Sequence, residues 1–397
     1  MSKTKTVVLA YSGGLDTSVC VKWLADRGWR VVAFMANVGQ GDPTRQAIAR
    51  AKVAGASAVI VRDLRREFLT DYCFPALQAH AVYEDAYLLA TALSRPLIAK
   101  HLVDVAHQQR ARAVAHGCTG KGNDQVRFEV TARILDPSLQ LVAPVREWAF
   151  RSREQEIDYA KRHRIPIDVT KRHPYSIDQN LWGTSIESGV LENPWQAPPE
   201  DTYRSIRSPR RAAAQPVQVT VEFVRGIPAG LNGRRLAPVA LIERLNALGA
   251  AHGIGRSDMM ESRVVGIKSR EVYEAPAATI LLAAHQDLER LVLDRELLRV
   301  KAGIGTTYAH LVYGGLWFTP LKHALDAFVQ ETQRRVTGSV RLTLYKGACR
   351  VVGRRSPHSL YRERLATYSA KDQFDQKLAA GFIKLFGLSY EGAGRSR

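Results

Sequence analysis

Residues 10–18 read Ala10-Tyr11-Ser12-Gly13-Gly14-Leu15-Asp16-Thr17-Ser18. The run Thr6–Ala10 that leads into them is short, apolar and rich in β-branched residues, the pattern of a buried strand. After them, residues 19–25 have one apolar side and are closed by Asp26-Arg27-Gly28, the pattern of a helix with a C-terminal glycine. The segment between is therefore a strand-to-helix turn. Its glycines let the backbone approach a ligand, and its N–H groups and hydroxyls gather at a helix N-terminus, a site suited to phosphate or pyrophosphate.

The turn lacks the lysine of a P-loop and the Gly-x-Gly-x-x-Gly spacing of a dinucleotide fold. It resembles the Ser-Gly-Gly-x-Asp-x-Ser loop of ATP pyrophosphatases, which split ATP into AMP and pyrophosphate. An ordinary capped glycine turn would not need two glycines, two serines and an aspartate together. Asp16 stands where a magnesium ion would bridge it to phosphate oxygens.

Working outward, 30–36 reads as a second buried strand, 44–55 as a helix, 58–61 as a third strand and 64–72 as a helix. This βαβαβα order predicts a parallel sheet with right-handed crossovers. The second strand ends in Phe34-Met35-Ala36-Asn37, with no acidic residue for a ribose, which argues against an NAD enzyme. Pro96 is expected in the first turn of a long helix ending near 113, with Tyr87, Thr91 and Arg95 on one side. A strand at 112–116 then delivers Gly117-Cys118-Thr119-Gly120-Lys121-Gly122-Asn123-Asp124-Gln125-Val126-Arg127-Phe128-Glu129. Three glycines followed by four polar or charged residues read as a ligand loop rather than core, with His116 as a packed or capping residue.

A strand at 141–145 and a helix at 152–163 complete this part. Residues 175–185 read as polar turns, and 193–216 as an irregular connection. From Val217 the pattern alternates, as in an antiparallel strand with one wet face. Helices are expected at 239–248, 279–298 and 319–336, a hairpin at 339–352, and an amphipathic helix at 372–386 carrying Phe374, Leu378, Phe382 and Leu385.

With 397 residues the chain predicts more than one domain, and its apolar and charged fractions are those of a globular protein. No apolar run approaches the roughly 18 residues needed to cross a membrane, and the first strand begins too early to leave room for a signal peptide. Four scattered cysteines without a Cys-x-x-Cys read as reduced thiols, hence a cytoplasmic location. The net charge of +19 attracts anions, but no aromatic-interleaved basic stretch accompanies it, so nucleic acid is not the expected partner.

The 10–18 loop, the 120–129 segment and Lys268-Ser269-Arg270 before Tyr273-Glu274 together resemble the argininosuccinate synthases, in that family's order, from about residue 6 to about residue 385. The resemblance implies a doubly wound parallel-sheet α/β nucleotide-binding domain (1–168), an α+β synthetase domain (169–365) and a C-terminal oligomerisation helix (366–397) of a homotetramer. It implies ATP, citrulline and aspartate as substrates, Mg²⁺ as cofactor, and argininosuccinate, AMP and pyrophosphate as products.

Carried over by position, ATP would lie on Ala10, Tyr11, Ser12, Gly13, Gly14, Leu15, Asp16, Thr17, Ser18, Ala36 and Gly117. Aspartate would meet Thr119, Asn123 and Asp124, and citrulline Tyr87, Ala92, Asn123, Arg127, Ser176, Ser185, Glu261 and Tyr273. Asp16 and Asp124 would be catalytic, with the metal on Asp16. Arg127 suits an α-carboxylate and Glu261 an α-ammonium. Position 92 departs from the family, which often has serine there; the nearby hydroxyl is Ser94. Two other readings use the same loop: a tRNA-modifying ATP pyrophosphatase, and a non-catalytic nucleotide- or RNA-binding protein. Nucleic acid copurifying with the protein would favour either.

Overall fold

The computed structural model describes residues 5–41, 44–150, 152–166 and 175–393. The expected domain boundary at 168/169 lies outside the described residues.

The first half is built on β1 (Thr6–Ala10), β2 (Arg30–Asn37), β3 (Ala58–Asp63), β4 (Ala113–Ala115) and β5 (Gln140–Val142), all parallel, in the order β3-β2-β1-β4-β5. β1 is buried on both faces, as its unbroken apolar run requires. Val8 and Ala10 of β1, with Val32 and Phe34 of β2, enter one core; Val7 and Leu9, with Val31 and Ala33, enter the other. Period-two alternation thus feeds two apolar layers from the same strands. The order reverses between β1 and β4. The carboxyl ends of these two strands flank the crevice where α/β sheets bind ligands, and each feeds a glycine loop.

The second half contains two antiparallel sheets. One has the order β10-β9-β8-β13-β14, formed by β8 (Val217–Val224), β9 (Ile227–Leu231), β10 (Arg234–Arg235), β13 (Gly338–Tyr345) and β14 (Ala348–Arg355). The other has the order β11-β12-β7-β6, from β6 (Ser176–Gln179), β7 (Thr184–Glu187), β11 (Arg256–Ser262) and β12 (Lys268–Glu274). The expected class, a parallel α/β layer followed by an α+β region and a C-terminal helix, is the one observed.

Four local expectations need correction. Residues 176–187 are not turns but the hairpin β6–β7. Asn180 closes it, its Oδ1 accepting from Trp182 N at 2.9 Å and its Nδ2 donating to Ala90 O at 2.8 Å. Pro96 is not in a first helical turn, because the helix begins at Ala90, directly after a left-handed Leu89, and runs to Gln108. The helix expected at 279–298 is two: Pro276–Val292, then Arg295–Tyr313 capped by Asp294, whose Oδ1 accepts from Leu297 N at 2.9 Å. Asn123–Arg127 are not part of the ligand loop but the start of the helix Asn123–Leu135, with Asn123, Gln125 and Arg127 buried. The C-terminal helix, Lys377–Gly387, leaves Leu378, Phe382 and Leu385 exposed on the single chain.

Candidate active site

The two glycine loops open on one cleft of about 650 Å³ at the carboxyl edge of the parallel sheet. At one end, no side chain caps the N-terminus of the helix Leu15–Asp26, whose Gly14, Asp16 and Thr17 line the cleft; an uncapped helix start of this kind suits an anion. Ser12 Oγ accepts from Gly14 N at 3.3 Å and lies 3.1 Å from Thr17 Oγ1. Gly13 has φ +85°, and a Cβ there would stand 2.8 Å from that of Ala47, so only glycine fits. Gly117, at the tip of the other loop, lies against the same helix; its Cβ would come within 2.9 Å of Thr17 Cγ2.

Ala10, Tyr11, Ser12, Gly14, Asp16, Thr17, Ala36 and Gly117 line the cleft. Gly13, Leu15 and Ser18 do not; they shape the loop from behind. Leu15 is buried in the apolar layer, and Ser18 donates to Gly14 O at 2.7 Å with its Oγ 3.0 Å from Tyr11 OH. Asp16 is exposed to the cleft and lies beside Glu156 of the helix Arg153–Arg162. Burial and the Asp16 charge push the Glu156 carboxyl up to about 8. An exposed carboxylate beside a phosphate-sized loop is a hard oxygen donor of the kind that fits a magnesium ion.

The other end of the cleft is built by the four-stranded sheet. Glu261 on β11, Glu271 and Tyr273 on β12, and Ser185 and Glu187 on β7 all line it, because alternate residues share a face. Tyr273 and Ser185 are direct cross-strand partners. Between them in sequence, Val272 and Ile186 pair on the opposite face and are fully buried. Ser185 Oγ is buried with no hydrogen-bond partner, an acceptor and donor left for a ligand. Tyr87 stacks on Tyr273 with ring centroids 4.1 Å apart, and its hydroxyl receives Thr91 N at 3.0 Å. Ala92 is fully buried away from the cleft; its N–H reaches the Tyr87 hydroxyl at 3.3 Å, so this position orients Tyr87.

Thr119, Asn123, Asp124 and Arg127 join the two ends. Arg127 Nη1 donates to Asp124 Oδ1 at 2.9 Å, and Arg95 Nε to Asp124 Oδ2 at 2.8 Å. Burial alone would raise the Asp124 carboxyl, but the two guanidinium groups hold it below its usual value. Ser176 sits at the open rim.

Sequence reasoning left out several residues here. Arg95 also contacts Asp178, and Arg263 bridges Glu187, Glu271 and the carbonyl of Lys121, at 2.7 Å from Glu271 and 3.2 Å from Lys121 O. The expected helical row of Tyr87, Thr91 and Arg95 holds only for Thr91 and Arg95, because Tyr87 precedes the helix that begins at Ala90; Arg263 and Glu271 carried no signal.

The family model described as "Arginosuccinate synthase N-terminal HUP domain" matches residues 6–166, and "Arginosuccinate synthase C-terminal domain" matches residues 175–393. The chain belongs to the argininosuccinate synthase family. Argininosuccinate synthase from Chlorobium limicola is 56% identical over 389 residues, covering 98% of this chain and 97% of the relative. That from Chlorobaculum tepidum is 55% identical over 390 residues, with the same coverage. As a member of the argininosuccinate synthase family the chain is a ligase that forms a carbon–nitrogen bond. Among solved structures, a 4-thiouridine synthetase–RNA complex with bound ATP aligns at 16% identity and TM-score 0.31, over 41% of this chain and 42% of that one. A predicted tRNA methyltransferase subunit from Methanocaldococcus jannaschii aligns at 17% and 0.28, over 40% of this chain and 76% of that one. These likenesses are too distant to bear on function. Among the described residues, no helix is long and apolar enough to cross a membrane.

Proposed function

We propose that the cleft condenses citrulline with aspartate at the expense of ATP, releasing argininosuccinate, AMP and pyrophosphate. One observation carries the reading. The pyrophosphatase loop, the Asp124–Arg127 pair and the Glu261–Tyr273 wall line one continuous cleft. A triphosphate at the first and an amino acid at the last would bring a ureido group to the α-phosphorus.

The chemistry follows from the substrate. A ureido carbon is a poor electrophile because two nitrogen lone pairs feed it. Its oxygen attacks the α-phosphorus of ATP, a P–O bond forms, and the bond to pyrophosphate breaks. The aspartate amine then attacks the activated carbon, a C–N bond forms, and AMP leaves with the former ureido oxygen. The proton lost from the amine passes to solvent. The loop N–H groups hold the leaving pyrophosphate, and positioning supplies much of the rate.

In this reading Glu261, Ser185, Ser176, Tyr87 and Tyr273 take the citrulline amino-acid end. Arg127 faces its carboxylate, and Thr119, Asn123 and Asp124 take aspartate. Asp16 holds Mg²⁺, which when bound neutralises phosphate charge. We further propose a cytoplasmic homotetramer, with the apolar face of the helix Lys377–Gly387 covered by a neighbouring subunit.

Pyrophosphate release with ATP and magnesium, omitting citrulline and aspartate in turn, tests the reading. Turnover requires both amino acids. Release that depends on RNA and ignores citrulline would overturn it in favour of a tRNA-modifying enzyme.

A further inference from the structure

Tyr313 ends the helix Arg295–Tyr313 and does not line the cleft, yet it touches three residues that do. Its hydroxyl donates to Glu261 Oε1 at 2.6 Å. The same hydroxyl accepts from Asn123 Nδ2 at 2.8 Å. Its carbonyl accepts from Arg127 Nε at 2.9 Å, and the guanidinium carbon lies 4.9 Å from its ring centroid. The ring stacks face to face on Tyr83, centroids 3.6 Å apart and planes within 5°. All three contacts are buried.

The proton inventory makes these contacts directional. An ionised Glu261 has no hydrogen to give, so the single Tyr313 hydroxyl proton must point at it. Asn123 can then meet the hydroxyl only with its NH₂ group. That turns Asn123 Oδ1 the other way, where it accepts from Val264 N at 2.8 Å on the turn between β11 and β12. Burial raises the Tyr313 phenol far above its usual value, so it stays a neutral donor. The Tyr273 hydroxyl donates to Glu261 Oε2, so the two tyrosines together set the Glu261 rotamer; the Tyr313 hydroxyl also sets the amide orientation of Asn123, and the adjoining carbonyl holds Arg127 Nε.

We infer that Tyr313 is the positioning residue for the amino-acid end of the cleft, aligning Glu261 and Asn123 across the two halves of the chain. The inference rests on the proposed function, in which those residues hold citrulline and aspartate. Tyr313 binds no substrate itself; it selects one of several side-chain arrangements before substrate arrives.

Tyr313→Phe removes only the hydroxyl and keeps the stack on Tyr83 and the carbonyl bond to Arg127. Losing a buried hydrogen bond to a charged group should raise the KM for citrulline about ten-fold or more, with the KM for ATP little changed. Combined with Glu261→Gln, the two effects should fall well short of adding, because both act through one contact. Unchanged amino-acid KM values, an equal rise in the KM for ATP, or full additivity would each overturn the inference. Wild-type protein run in parallel separates the causes. If it lacks citrulline-dependent pyrophosphate release, the proposed function falls and takes this inference with it; if it is active and the variant unchanged, the inference alone falls.

Discussion

Asp124 and Arg127 lie one turn apart on the helix Asn123–Leu135, Oδ1 to Nη1 2.9 Å, with the arginine almost wholly buried and the carboxylate partly open to the cleft. Arg95 grips the second oxygen of the same carboxylate. The carboxylate is thus the shared counter-charge of two arginines. Asp124→Asn leaves Arg127 charged, buried and without its counter-ion, at a cost of up to roughly 3–5 kcal/mol in stability. The folded-state pKa of Asp124 lies below its ordinary 3.8. A lowered acid stabilises the fold fully above its unfolded pKa and loses that contribution as pH falls through the folded value. Urea midpoints of wild type and Asp124→Asn should therefore differ clearly at pH 6 and converge below pH 4. A gap that stays constant with pH would mean the pair contributes nothing ionic. The same variant should also raise the KM for aspartate.

Asp16→Ala should lower pyrophosphate release by about 100-fold or more, the scale of losing one key electrostatic contact to the transferring phosphates. The side chain is exposed, so the fold should survive. Near-normal turnover in a folded variant would remove Asp16 from the metal site.

Glu261→Gln keeps the shape of the side chain and removes its charge. It should raise the KM for citrulline about ten- to hundred-fold while leaving that for ATP nearly unchanged. Weakened ATP binding with citrulline untouched would show that the amino-acid pocket lies elsewhere.

Lys301 and Glu289 form a deeply buried pair remote from the cleft, Nζ to Oε1 3.2 Å, both almost inaccessible to water. Burial pushes the carboxyl up and the ammonium down, and each opposes the shift of the other. Lys301→Met removes the ammonium and leaves the buried carboxylate to the Gln333 amide, which donates to Oε1 at 2.6 Å; it should cost up to about 3–5 kcal/mol in a denaturant titration, without changing the KM of any substrate. Adding Glu289→Gln should recover much of the loss. A Lys301→Met protein as stable as wild type would mean that Glu289 is already neutral.

Truncation after Ala370 deletes the helix whose Leu378, Phe382, Leu385 and Phe386 stand exposed. Sedimentation should then report a species smaller than the tetramer proposed for the full chain. A truncated protein that stays tetrameric would remove this helix from the assembly.

Much of the first half was legible because its signals are local. β1, the glycine turn and the helix after it are contiguous, and an apolar β-branched run has few alternatives to a buried strand. The hairpin at 176–187 was not legible, since its strands are short and mostly polar, and they are strands because β12 pairs with β7. The buried start of the helix Asn123–Leu135 read as loop for a related reason: its polar side chains are satisfied by partners distant in the chain.

By itself, the sequence determined the pyrophosphatase loop, the parallel sheet, the family and the charged residues available to the cleft, because each is written in neighbouring residues or in a motif. Tertiary structure alone decided which of those charges face each other and how they are held. Tyr313 shows why. Its partners stand 52, 186 and 190 positions away, and nothing in a tyrosine at the end of an amphipathic helix announces them. A hydroxyl with one proton to give acquires a direction only when the fold sets a carboxylate on one side of it and an amide on the other.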